Sequence, residues 1–385
     1  MTPQARVAAA IDVIDAIEEG QAAEQALTRW ARQSRFAGSK DRAAVRDHVF
    51  AALRHWRSDA VRGGGQSGRA RMIGRLRAEG IDPVTIFSGQ GYGPDVLNDV
   101  ELAAGAIAAD GAEQLDVPEW LWARLVVDLG MDGAALTART WQDRAPVTLR
   151  VNAHRGTRAA AKTQLADEGI ETEDNPRAPF ALTIVEGARR LRNSSLFQDG
   201  LVELQDASSQ AVVAALPTGE TVLDYCAGGG GKALALAADG KRVTAHDANP
   251  DRMRDLPDRA NRAGLDISCM STDALSGTYD LVLCDAPCSG SGSWRRSPHG
   301  KWDLTQQKFD DLLALQRDIL DQAMQFVAPG GALIYVTCSV FNAENEEQAH
   351  AFSERHPNWK ITNQDRRAVD NFGDGFFAAH LTQAD

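Results

Sequence analysis

The chain has 385 residues, 43% hydrophobic and 24% charged, with a formal net charge of −12. That is ordinary globular composition with room for two or three domains. Five cysteines without a dense framework argue against a secreted disulfide scaffold and fit a reducing compartment. No apolar run approaches the roughly 18 residues a membrane helix requires, and Asp12, Asp15, Glu18 and Glu19 are out of place in a signal or transit peptide. A cytoplasmic protein with no membrane partner is expected.

Residues 4–60 predict helices, because Val7, Ile11, Ile14 and Ile17, and then Val45, Val49 and Leu53, recur at three- and four-residue intervals. Charge is concentrated here too: residues 1–80 hold 14 Lys/Arg against 9 Asp/Glu, a balance of +5 that leaves −17 for the remainder. The basic residues Arg29, Arg32, Arg35, Lys40, Arg42, Arg46, Arg54, Arg57, Arg62, Arg69, Arg71, Arg75 and Arg77 are nearly all arginine, whose fork matches phosphate oxygens. A solvated helical face is the plain alternative. Gly63-Gly64-Gly65-Gln66-Ser67-Gly68 marks a flexible break, and weaker helical patterns follow to about residue 112. Character is mixed from 113 to 196: Pro118–Leu125 has helical spacing, whereas Val147–Asn152 alternates like a strand. From 197 onward short β runs alternate with helices, the mark of an open α/β sheet. Three parts are expected, at 1–112, 113–196 and 197–385.

The last part is the most legible. Thr221–Tyr225 predicts a strand that runs into Cys226-Ala227-Gly228-Gly229-Gly230-Gly231-Lys232 and then a helix from Ala233. A glycine loop at the carboxyl end of a strand lets a ligand approach the backbone, and the following helix start offers unpaired amides. A second strand, Arg242–Asp247, ends in an acid 23 residues after Asp224, placed for the ribose hydroxyls of an adenosine-type cofactor. Asp273, after Ile267–Ser271, is a candidate for the adenine side. The loop matches neither the dinucleotide fingerprint nor the P-loop, which leaves S-adenosylmethionine as the favoured cofactor.

Two cysteines lie 50 residues apart. Cys288 stands in Asp285-Ala286-Pro287-Cys288 after the strand-forming Tyr279–Cys284, and Cys338 in Thr337-Cys338-Ser339 after Leu333–Val336. Adjacent strands would bring both thiols to one sheet edge beside the glycine loop. Buried core thiols are the plain alternative, and the one assigned to Cys226, Cys269 and Cys284. A zinc site on Cys284 and Cys288 lacks a second ligand pair, so no metal is expected. Trp294 and Trp302 suit either RNA stacking or core anchoring.

These motifs closely resemble the RsmB/Sun family of RNA cytosine-5 methyltransferases: Leu223–Lys232, Asp285–Gly292, Tyr335–Ser339 with Glu344-Asn345-Glu346, Val202–Gln210, Arg295–Trp302 and Gly373–Phe377. The likeness covers residues 197–382 closely and 118–152 more loosely. Gly38–Arg42 and Val49–Arg54 resemble the NusB-like RNA-binding domain of such proteins, in a shortened form. The resemblance implies an all-α NusB-like domain, a small α+β connecting module and a Rossmann-like class I methyltransferase domain with a seven-stranded mixed sheet. It implies Cys338 as the nucleophile at C6 of cytosine, Cys288 as helper in proton removal and product release, Asp285 on the N3/N4 edge of the base, and Lys232 on the base or that acid. It implies a cofactor set of Cys226, Ala227, Gly228, Gly229, Gly230, Gly231, Lys232, Asp247, Arg252, Asp273 and Asp285. Chemistry asks for the same residue types, since C5 of cytosine becomes nucleophilic only when a thiolate adds at C6.

Ribosomal RNA is the first expected substrate and tRNA the second, with no obligate protein partner evident. A methyltransferase with another acceptor, or a largely non-catalytic RNA-binding assembly factor, are the competing classes. One departure stands out: the family's loop reads Ala-Pro-Gly-Gly-Lys-Thr where this chain has Gly228–Gly231, Lys232 and Ala233; cofactor binding is expected to survive, because the loop amides and Asp247 remain, with its strength rather than its existence affected.

Overall fold

The computed structural model describes residues 1–384. The chain divides into two units, Met1–Arg144 with Trp294–Asp303, and Ala145–Ser293 with the segment from Leu304 onward. Residues 113–144 thus belong with the helical unit and 145–196 with the sheet-bearing one.

The helical unit holds α1 (Pro3–Glu18), α2 (Ala23–Gln33), α3 (Ser39–Arg54), α4 (Trp56–Gly63), α5 (Gly68–Ala78), α6 (Asp99–Ala103) and α7 (Glu119–Gln142). Side-chain caps start several of them: Thr2 Oγ1 accepts from Ala5 N, and Ser67 Oγ from Ala70 N, each at 3.2 Å. The residues that carried the helical period, Val7, Ile14, Ile17, Val45, Val49 and Leu53, are buried in one core. Helices α4 and α5 pack unusually close. A Cβ on Gly63 would lie 1.7 Å from the Ala70 carbonyl oxygen, and one on Gly74 would lie 1.9 Å from that of Asp59. Between α5 and α6 the chain makes only a short turn of 3-10 helix, Pro83–Thr85, so the helical pattern expected up to residue 112 is largely loop. The inserted segment 294–303 is anchored by its tryptophans. Trp294 packs edge-on against Trp141 at 4.8 Å, and Trp302 Nε1 donates to the Leu53 carbonyl at 2.7 Å. Both therefore serve the core of this unit.

Most of the arginines that suggested a phosphate-binding face are spent inside the unit. Arg57 pairs with Glu119, Arg69 with Glu101 and Arg71 with Glu18, while Arg62 and Arg75 flank the buried Asp59. Arg77 donates to the carbonyls of Arg62 and Glu101. Arg29, Arg32, Arg35, Lys40, Arg42 and Arg46 are the exposed members of the run.

The second unit carries two sheets. Strands β1 (Val147–Val151), β2 (Glu171–Asp174), β3 (Ala181–Glu186) and β4 (Val202–Leu204) form an antiparallel sheet in the order β2-β3-β1-β4, backed by α8 (Arg158–Asp167) and preceded at β4 by the short α9 (Ser195–Gln198). After α10 (Ala207–Ala214) the chain alternates β5 (Thr221–Asp224), α11 (Gly231–Ala238), β6 (Arg242–His246), α12 (Leu256–Ala263), β7 (Ile267–Met270) and β8 (Tyr279–Asp285). The short α13 (Gly300–Asp303) lies in the inserted segment, and α14 (Gln306–Ala323), β9 (Val327–Thr337), α15 (Glu346–Arg355), β10 (Trp359–Arg367) and β11 (Phe376–Gln383) complete the fold. The large sheet runs β10-β11-β9-β8-β5-β6-β7. Five strands are parallel, and β11 lies antiparallel between β9 and β10. It is the seven-stranded mixed sheet that the resemblance implied. Strand order reverses at β5, whose neighbours are β6 and β8, and open α/β sheets bind ligands at such a switch point, beyond the carboxyl ends of the strands.

Gly74→Ala is expected to destabilise the helical unit. The added methyl gains helix propensity worth about 1 kcal/mol, but its clash is with a backbone carbonyl that no rotamer change relieves, an overpacking cost of about 1–3 kcal/mol. A lower urea midpoint checks this; an unchanged midpoint contradicts it.

Candidate functional site

The carboxyl ends of β5, β6, β8 and β9 bring the expected residues to one edge. Register pairs Asp285 with Val336 in adjacent parallel strands, and Ala286 N donates to the Val336 carbonyl at 2.9 Å. The chain beyond each strand then turns over the same edge, and Cys288 Sγ lies 3.5 Å from Cys338 Sγ. Both thiols are half-buried, while Cys284, inside β8, is fully buried and Cys269 is exposed on β7. Burial pushes the Cys284 and Cys226 thiols up, as suits structural cysteines.

Lys232, in the first turn of α11, is buried, and its Nζ donates to Asp285 Oδ2 at 2.6 Å. Burial by itself would lower the lysine, but the Asp285 carboxylate beside it holds it above the ordinary value. Cys338 adds to that rise, and the ammonium lies 5.2 Å from the ring centre of Phe376. At Cys288 the hydrogen bond with Cys338, burial and the nearby Glu344 carboxylate push the thiol well up.

Glu344 had no assigned role in the sequence, yet it ties the two cysteine loops together. It is fully buried and accepts from Ser289 N at 2.7 Å, Ser289 Oγ at 2.5 Å, Ser339 Oγ at 2.5 Å and Gln316 Nε2 at 3.0 Å. Asn345 Nδ2 adds a bond to the Ser339 carbonyl at 3.0 Å. Glu344-Asn345-Glu346 was visible as a motif, but nothing in the sequence says that its first acid is buried among neutral donors.

The glycine loop is shaped by two of its four glycines. Gly228 and Gly230 adopt φ of +53° and +78°, and a Cβ on Gly230 would sit 2.3 Å from Leu256. Gly229 and Gly231 have no such need, so the departure at Gly229 adds flexibility without being demanded by the geometry. Asp247, just past β6, is buried and accepts from Gly228 N at 2.9 Å, Arg252 Nη1 at 3.0 Å and Asn249 N at 3.0 Å. Cys226 and Ala227 begin the loop, with Ala227 N donating to the His246 carbonyl at 2.8 Å. Buried His246 donates from Nδ1 to the Tyr225 carbonyl at 2.8 Å and accepts at Nε2 from Thr272 at 3.0 Å, so it links three strand ends. Asp273 follows Thr272 on an exposed turn. Arg150 Nη1 donates to the Gly231 carbonyl at 2.7 Å, and Arg259, paired with buried Glu203, donates to that of Gly229. These braces from the small sheet and α12 were not legible from spacing.

Asp224, noted in the sequence only as a landmark, ends β5 fully buried with neither carboxylate oxygen in a hydrogen bond. Burial, then the neighbouring Asp285 carboxylate, raise it to about 7. A buried acid with no partner of its own is shaped for a cationic ligand group.

Two outcomes follow from this geometry. Gly230→Ala is expected to lower the thermal midpoint of the sheet-bearing unit, whereas Gly229→Ala, whose Cβ would meet nothing nearer than 3.5 Å, leaves it near the parent value; equal effects contradict the loop geometry. Because the folded-state value of Asp224 is raised from 3.8 to about 7, its contribution is complete below about 4 and is lost as pH rises through about 7. Asp224→Asn removes that loss, so in ligand-free protein its urea midpoint is expected to gain on the parent between pH 4 and pH 8. A constant difference across that range contradicts the assignment.

Residues 211–382 match the family model described as 16S rRNA methyltransferase RsmB/F, and residues 117–189 match the RsmF/B-like ferredoxin-like domain. The chain is 35% identical over 262 residues to the probable ribosomal RNA small subunit methyltransferase B of Bacillus subtilis (strain 168), covering 65% of this chain and 58% of that protein. It is 34% identical over 283 residues to the ribosomal RNA small subunit methyltransferase B of Citrobacter koseri, covering 69% and 66%. The chain therefore spans 58% to 66% of the length of these curated relatives. Among solved structures, that of PH0851 is similar over 100% of this chain and 99% of its own, with a TM-score of 0.78 at 24% identity, a likeness of fold. The two family models and these relatives agree: the chain belongs to the RsmB/Sun family.

Proposed function

We propose that this chain transfers a methyl group from S-adenosylmethionine to C5 of a cytosine in RNA, with small-subunit ribosomal RNA as the substrate and tRNA as the second choice. The observation that carries the reading is the pair of thiols 3.5 Å apart beside a 2.6 Å lysine–aspartate pair. The names of the relatives support the RNA substrate.

The residues present suit the cofactor. Its methionine end carries an ammonium and a sulfonium, and the unpartnered Asp224 offers these cations a buried carboxylate. The glycine loop from Cys226 to Gly231 lets that end approach the backbone. Asp247, with Arg252 beside it, takes the ribose hydroxyls, and Asp273 the adenine side. When bound, the cofactor supplies an electrophilic methyl group.

The chain's own residues would activate the acceptor. Cys338 as thiolate forms a bond from Sγ to C6, and the C5–C6 π pair moves to C5. Asp285, oriented by Lys232, hydrogen-bonds the N3/N4 edge and favours charge build-up on the ring. Once C5 carries the methyl group, its proton passes to solvent water, and Cys288 assists this removal and the release of product. The C5–H pair re-forms the C5–C6 double bond as the C6–S bond breaks, and Cys338 regains its thiolate. Glu344 holds both loops in place through Ser289 and Ser339.

Expression of Cys288→Ala in the native cell tests the reading. The variant is expected to remain covalently joined to RNA through denaturing purification, and sequencing that RNA names the molecule and nucleotide. The adduct is expected to vanish in Cys288→Ala/Cys338→Ala. No adduct, with RNA and S-adenosylmethionine binding intact, overturns the two-cysteine mechanism.

A further inference from the structure

Helix α14 carries a polar side chain on its buried face. Phe309, Ile319, Leu320 and Ala323 are buried at three-, four- and seven-residue spacings from Gln316, which is buried among them. Ile319, Leu320 and Ala323 fix the helix in the core layer that also holds Cys284 and Tyr335. A leucine or methionine at 316 would fill the same space without desolvating an amide. The amide leaves one atom unsatisfied, since Gln316 Oε1 has no hydrogen-bond partner among the described residues. Its nitrogen makes the contacts. Nε2 donates to the Pro287 carbonyl at 3.0 Å and to Glu344 Oε1 at 3.0 Å. A flip of the amide would turn Oε1 towards these two acceptors, so they set its orientation.

The two acceptors bracket Cys288. One residue before Pro287, Ala286 N is still bonded to the sheet. Pro287 has φ fixed by its ring and no N–H to offer, so its carbonyl is the group by which the peptide entering Cys288 can be held. Gln316 holds it. The peptide leaving Cys288 is held by its N–H: Ser289 N donates at 2.7 Å to Glu344 Oε1, the oxygen that also accepts from Gln316. Glu344 is fixed in turn by Tyr335 of β9, whose hydroxyl donates to its carbonyl at 2.5 Å. Both peptide planes flanking Cys288 are therefore pinned, and with them the φ and ψ that direct its thiol. The Pro287 bond acts on this arm alone. Around Cys338, Gly292 N donates to the Cys338 carbonyl at 2.9 Å, and Thr337 Oγ1 accepts from Ser339 N at 3.3 Å.

We propose that Gln316 is a positioning residue for Cys288, holding the thiol in the direction from which it assists release of the methylated product. The proposal rests on the two-cysteine reading and adds to it a residue outside the cysteine motifs.

Two measurements on the full chain test it. Gln316→Met keeps an unbranched side chain of similar length and removes the donor. Gln316→Glu is isosteric, and its carboxyl, with one proton at most, cannot serve both acceptors. Ile319→Val loosens the same buried face without touching the bracket. The first measurement needs no RNA: iodoacetamide labelling, resolved by fragment-ion mass spectrometry, reads Cys288 in a Cys338→Ala background and Cys338 in a Cys288→Ala background. Both Gln316 variants are expected to raise the labelling rate of Cys288 about tenfold, the factor set by one buried hydrogen bond. Cys338 is expected to change less than about twofold, as a site sharing no partner with the Pro287 bond. Ile319→Val is expected to favour neither cysteine. Equal changes at the two cysteines, none at Cys288, or the same selectivity in Ile319→Val overturn the proposal.

The second measurement is the covalent adduct. With both cysteines intact, Gln316→Met expressed in the native cell is expected to retain RNA through denaturing purification about tenfold above the parent, and to lose it in Gln316→Met/Cys338→Ala. Adduct at the parent level, beside a Cys288→Ala protein that retains RNA, overturns the role in release. No adduct in Cys288→Ala itself overturns the methylation reading and the release role with it, and the labelling still decides whether Gln316 holds Cys288.

Discussion

The parallel pairing of β8 with β9 is the constraint on which the site depends. With Asp285 opposite Val336, both strands deliver their following loops to the same edge, and the two thiols meet. A slip of one residue would reverse which face each side chain takes, separating Asp285 from Lys232 and Cys288 from Cys338. The register is held from both sides. Leu283, Ile334 and Val336 lie in one core layer, and Val282, Cys284, Leu333 and Tyr335 in the other. Beyond the strands, Glu344 clamps the two loops through Ser289 and Ser339.

Charge in this chain is arranged by burial as much as by number. Lys232 is a buried cation that keeps its charge because Asp285 accompanies it. Asp224 is a buried acid without such a companion and is raised to about 7. With Asp224 and Asp285 ending the neighbouring strands β5 and β8, the lysine serves one acid and a cation is favoured beside the other. The same principle divides the arginines of the helical unit. Those with an internal acid or carbonyl partner build the fold, while Arg46 and Arg144 hold only exposed ion pairs, with Glu24 and Asp47.

The family likeness and the physical reading of the motifs bear on different parts of the chain. Family models reach residues 117–189 and 211–382, the stretch in which strand ends carry chemistry. The helical unit is described by its packing: the tryptophan anchors of the inserted segment, the close α4–α5 crossing and the ion pairs around Asp59.

Much of this was determined by the sequence itself. Periodicity marked the first helices, short β runs marked the alternating sheet, and the two cysteine motifs with the glycine loop marked the edge where chemistry gathers, because such features are local and repeat at fixed intervals. What tertiary structure decided is everything that depends on which distant groups share a small volume. Spacing could not reveal that most of the N-terminal arginines are consumed by acids up to 62 residues away, or that Trp294 and Trp302 anchor a core. Nor could it reveal that Asp224 is left without a partner while Asp285 receives a lysine. Burial and pairing are properties of the packed chain, and a carboxylate or guanidinium carries no local mark of whether folding will give it water, a counter-charge or neither.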